Sequence, residues 1–138
     1  MGVAIWDRFE WIEECYEFML AYAAQGLNSD SGNESGRQLR TFLQRAVKAL
    51  EGLSESCETA LREQDGQQGD RSAAFLAVLD RDARDSLAAM ELVLAQPAIT
   101  SQLIDNLNAS IHLRALLTDL FLFTEILKAQ PALAATAT

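Results

Sequence analysis

"LRTFLQRAVKALEGLSESCETA", residues 39–60, decides the fold class. Leu39, Leu43, Ala46, Leu50, Leu53, Cys57 and Ala60 recur at alternating steps of four and three, which places all seven on one side of a helix. The stretch predicts a helix over about 36–65 with one buried face. The pattern returns in Leu76, Leu79, Ala83, Leu87, Met90 and Leu94, over a helix of about 71–95. There Asp80, Arg81, Asp82, Arg84 and Asp85 mostly cover the outside.

Polar, glycine-bearing punctuation at "GLNSDSGNESG" (26–36) and "DGQQGD" (65–70), and the "QP" at 96–97, separates these segments from two more. A first helix is expected over about 3–25. A fourth is expected to open at Pro97, which lacks the N–H that a first helical turn leaves unpaired, and to end near residue 129, ahead of Pro131. Four helices of similar length joined by short connections predict an all-α, antiparallel four-helix bundle running up-down-up-down. One domain over 1–130 and a flexible tail over 131–138 complete the expected organisation.

Composition agrees with that class. The chain has 138 residues, 49% apolar and 22% charged, a balance that supports a packed core and lies far from the signature of disorder. Two prolines and seven glycines leave long stretches uninterrupted. The net charge of -9 repels phosphate backbones and anionic membranes, which argues against nucleic-acid or membrane partners. "LRALLTDLFLFTEIL" (113–127) is too short and too often charged to span a bilayer. Cys15 and Cys57 lie in helical patterns without metal spacing, so neither a disulfide framework nor zinc is expected, and a reducing, cytoplasmic setting is.

The first segment carries more apolar surface than one side of a bundle helix requires. "WDRFEWIEECYEFMLAY" (6–22) places Ile5, Phe9, Ile12, Tyr16 and Ala23 on one stripe, read as core, and Trp11, Cys15, Phe18 and Tyr22 on another. Asp7, Glu10, Glu14 and Glu17 fill the remaining arc. Antiparallel pairing with the second segment would bring Glu14 and Glu17 near Arg45 and Lys48. The fourth segment is apolar on most sides beyond Leu113, and such a helix is normally covered all round. The surplus predicts a homodimer, a protein partner or a ligand against the first and fourth segments.

Three sets of residues are candidates for binding. Trp11, Cys15, Phe18 and Tyr22 with Glu14 form a candidate partner surface, aromatic anchors beside acids that select a basic rim. Arg37 and Arg40 follow Gly32 and Gly36 at a helix start, where free N–H groups and two guanidinium groups favour an anion. His112, the single histidine, shares roughly one side of its segment with Asn108 and Asp119, an arrangement suited to a polar ligand. The missing Glu-x-x-His pairs argue against a di-metal bundle, and no catalytic residue, cofactor or metal is predicted.

These features predict a non-enzymatic helical adaptor, assembly factor or regulator that pairs with itself and with another protein. A ligand-binding or sensing bundle with a pocket between the first and fourth segments is the alternative. An acidic decoy of a nucleic-acid-binding surface is weaker, because the acids gather on the first segment and alternate with arginines elsewhere.

Overall fold

The computed structural model describes residues 4–64 and 69–129. They are all-α, with six helices and no strand among the described residues: α1 (Ile5–Ala24), α2 (Glu34–Leu50), α3 (Leu53–Gln64), α4 (Gly69–Leu94), α5 (Ser101–Asn108) and α6 (Ile111–Lys128). The expected tail, 131–138, lies outside the described residues, as do 65–68 of the second connection.

Six helices replace the expected four because two of the expected helices are broken. In the second, Glu51 is extended and Gly52 takes φ +70°, a conformation that costs glycine little. Arg8 of α1 satisfies the carbonyls freed there, its Nη1 donating to Ala49 O at 2.9 Å and Glu51 O at 2.6 Å. Leu50 and Leu53 remain buried on either side, so the apolar seam survives the break in the backbone. The expected fourth helix opens later than Pro97, at Ser101, where Thr100 Oγ1 accepts the Leu103 N–H. It breaks again at Ala109, and Ser110 caps a new start through Leu113 N–H.

The second break sends the two pieces to different neighbours. α5 packs against α1, while α6 packs along α4; α2 joins the halves by contacting both α1 and α4. The buried stripe of α1 is Phe9, Ile12, Cys15, Met19 and Tyr22, a line running between the two stripes expected from the sequence. Ile5, Tyr16 and Ala23 are half-buried at its border. On α4 the buried line is Leu79, Ala83, Ser86, Met90 and Val93, with Leu76, Leu87 and Leu94 packed at its edge.

A polar knot closes one end of the molecule. Asp30, buried in the α1–α2 connection, accepts Arg40 Nε with one oxygen and Ile99 N–H, at 2.7 Å, with the other. Arg40 also donates to Leu94 O at 3.1 Å and Gln96 O at 3.0 Å. Tyr22 Oη donates to Ile99 O, and Ser101 Oγ donates to Tyr22 O, both at 2.7 Å. Leu27 and Ser101 exchange two further bonds, at 2.8 and 2.9 Å. Each otherwise unpaired polar group at this closure thus finds a partner from a distant part of the chain.

Candidate functional site

α1 and α6 approach each other where Phe9 and Phe123 pack edge to face at 6.0 Å. Beyond that contact they frame an open groove of about 530 Å³. Glu13, Tyr16, Glu17 and Leu20 supply one wall. Arg114, Leu117, Thr118 and Phe121 supply the other. Leu117 and Tyr16 form an apolar floor, whereas Leu20 and Phe121 remain 49% and 55% exposed on opposite walls.

Trp6, 48% exposed, stands edge-on to Phe9 at 5.6 Å and lies seven residues before Glu13, on the same side of α1. Leu122 and Ile126 add exposed apolar surface to α6. Six of the eight large apolar side chains found exposed among the described residues, Trp6, Leu20, Ile111, Phe121, Leu122 and Ile126, therefore belong to these two helices. Val78 and Leu92 on α4 are 14 residues apart and read as isolated surface residues. Among the described residues no ion pair crosses the groove between Glu13 or Glu17 and Arg114.

Most of the residues expected to bind a partner have internal work instead. Cys15 and Tyr22 are completely buried and present no surface to a second chain. Phe18 is half-buried and stacks on Phe42 of α2 at 4.9 Å, and Trp11 lies beneath the Arg45 guanidinium at 5.0 Å. Glu14 stands 3.8 Å from Arg45, the expected α1–α2 pairing, while Glu17 turns to the groove. That stripe is the seam between α1 and α2. Burial pushes both thiols up to about 12, partly opposed at Cys57 by the Arg8 charge, which leaves them protonated and unreactive at neutral pH.

The anion site is corrected as well. Arg40 is committed to Asp30 and two carbonyls, and Arg37 pairs with Glu34 at 2.6 Å on the surface. The start of α2 already has its cap, Asn33 Oδ1 accepting Gly36 N–H at 2.6 Å. His112, Asn108 and Asp119 do not form one constellation. His112 is exposed, its Nδ1 3.6 Å from Asp85 of α4; Asn108 ends α5, beyond the break; Asp119 is buried against Asp82 of α4.

Asp119 has the most altered chemistry of the three. Burial, then a hydrogen bond and charge repulsion from Asp82, raise its carboxyl to about 7. Asp119 Oδ2, Ser86 Oγ and both side-chain polar atoms of Asn108 are buried without a hydrogen-bond partner among the described residues. Among the described residues no three His, Cys, Asp or Glu side chains are placed to hold a metal ion. No helix there is long and apolar enough to cross a membrane.

Sequence reasoning missed Leu20, Phe121, Arg114 and Glu13. Its signal was the surplus of apolar residues on the first and fourth segments, which identified the pair of helices without the residues. The described residues thus form an all-α body with an open helix–helix groove. In comparisons with protein-family models, curated proteins and solved structures, nothing matches the chain.

Proposed function

We propose that this chain is a non-enzymatic helical interaction protein, an adaptor, assembly factor or regulator, that docks another protein in the groove between α1 and α6. The observation that carries this reading is the concentration of exposed apolar side chains, Trp6, Leu20, Phe121, Leu122 and Ile126, on the two helices that frame one groove. Monomeric proteins seldom leave such surface uncovered unless it binds something. Aromatic and aliphatic anchors rimmed by charge are the usual anatomy of a docking site.

A small-molecule site fits less well. The volume of the groove lies within the range of ligand pockets, about 300–1,000 Å³, but such pockets enclose most of their ligand. Leu20 and Phe121, on opposite walls, stand about half in solvent. The unreactive thiols and the exposed, surface-paired histidine support a role in binding over catalysis.

Site-specific photocrosslinking tests the reading. A benzophenone amino acid at Leu20 or Phe121, in cells of the source organism, is expected to trap a discrete protein adduct. The same probe at Leu92, exposed on α4, serves as the control. Identical adduct patterns from all three positions, or none from the groove, would remove the docking reading.

A further inference from the structure

Resting on the docking reading above, we infer that the occupant of the α1–α6 groove is an amphipathic helix whose apolar stripe is flanked by Lys and Arg on its α1 side.

The spacing of the walls carries the helical part. Trp6, Glu10, Glu13, Glu17 and Leu20 follow each other at steps of four, three, four and three, and all are exposed. Arg114, Thr118, Phe121, Glu125 and Lys128 do the same on α6. This is the spacing of a coiled-coil seam, ordinarily found facing another helix, and the middle of each row, Glu13, Glu17 and Leu20 on α1 and Arg114, Thr118 and Phe121 on α6, lines the groove. A third helix lying between them places side chains at its own i, i+3, i+4 and i+7 positions over the Tyr16–Leu117 floor, between Leu20 and Phe121. Trp6 and Leu20 are 14 residues apart, about 21 Å of helix, so a partner of roughly 15 residues covers the stretch.

Charge carries the chemical part. Between the apolar ends of the α1 seam stand three carboxylates, Glu10, Glu13 and Glu17, none of them paired within the described residues. A helix with Lys or Arg along that flank meets opposite charge at each turn and pairs at the rim of a largely apolar contact. A second copy of the chain suits the site poorly. Its α6 seam offers Arg114 and Lys128 together with Glu125, its α1 seam brings three more acids, and each copy carries a net charge of -9.

Selection from a displayed library of helical 16-mers, with apolar and flanking positions both randomised, tests the inference directly on the whole protein. The expected pool is rich in Lys and Arg on one flank. Its members bind a Glu13→Gln, Glu17→Gln variant roughly five- to ten-fold more weakly than the parent, with a reduced salt dependence. They are lost on a Leu20→Glu, Phe121→Glu variant, whose fold is monitored by circular dichroism, since both side chains are already exposed. A pool with neutral or acidic flanks that still requires Leu20 and Phe121 overturns the basic-helix inference while leaving the docking reading in place. No selected pool, or one indifferent to Leu20→Glu, Phe121→Glu, removes both. Light scattering that shows a dimer dissolved by the same two substitutions assigns the groove to a second copy and overturns the inference.

Discussion

Asp30 and Arg40 stand ten residues apart in sequence and join four parts of the chain in space. The carboxylate binds the guanidinium and the Ile99 N–H, and the guanidinium carries on to the carbonyls of Leu94 and Gln96. Burial alone would raise the Asp30 carboxyl, but the Arg40 and Ile99 hydrogen bonds outweigh it and hold the group below its ordinary value. Stability from this pair is therefore present above the unfolded carboxylate pKa, about 3.9, and is lost as pH falls through the lower folded value. Arg40→Met leaves a buried carboxylate unmatched and is expected to cost about 3 kcal/mol at pH 7. Asp30→Asn should destabilise at neutral pH and flatten the acid limb of the stability profile. Urea unfolding between pH 2.5 and 7 measures both.

Gly36 is held by the close approach of the Asp30 backbone. A methyl group on its Cα would overlap the Asp30 backbone carbonyl, and the helix backbone lacks the freedom of a long side chain to move aside. An exposed Gly→Ala change inside a helix ordinarily stabilises by about 1 kcal/mol. Here the sign should reverse, with Gly36→Ala costing about 2 kcal/mol or more. A thermal melt at or above that of the parent would show that the Asp30 loop can move without loss.

Asp119 has the opposite pH dependence from Asp30. Its carboxyl is raised to about 7, so the stability it contributes is full below the unfolded value and lost as pH rises through about 7. Asp119→Asn keeps the size of the side chain without acquiring a charge. Relative to the parent, this variant should gain stability from pH 4 to about pH 7 and level off above it. A constant difference across that range would mean that Asp119 does not ionise against Asp82.

Truncations along α1 should separate fold from surface. Phe9→Ala and Ile12→Ala remove core and are each expected to cost roughly 2 to 5 kcal/mol. Phe18→Ala breaks the stack on Phe42, a half-buried contact, and should cost about 1 to 2 kcal/mol. Leu20→Ala should change stability by less than about 0.5 kcal/mol, because the side chain is half in solvent and belongs to the groove. Guanidinium unfolding of the four single variants ranks them in that order.

Helical periodicity made the class of fold legible, and the seam from Leu39 to Cys57 is buried along its length as its spacing predicts. The break inside it was hidden by the same spacing: Leu50 and Leu53 are three apart whether or not the backbone between them is helical. Gly52 was the available signal, weaker than the seam around it. On α1, periodicity distinguishes an apolar side from an acidic one, but which apolar residues are covered depends on where α2, α5 and α6 lie. Arg40 read as a cation awaiting an anion because its carboxylate, Asp30, sits in a loop whose path no periodicity describes. The groove depends on where α6 passes α1, a relation between residues more than 90 positions apart.

The closing knot also governs the order in which this chain can become itself. Tyr22, Leu27, Asp30 and Arg40 all belong to its first third, yet their hydrogen-bond partners include residues from 94 to 101. As a nascent chain elongates, the early helices can therefore coil but cannot lock. A fragment stopping before residue 94 would leave the Tyr22 hydroxyl and part of the Arg40 fork exposed to water. Completion of these hydrogen bonds waits for the α4–α5 connection.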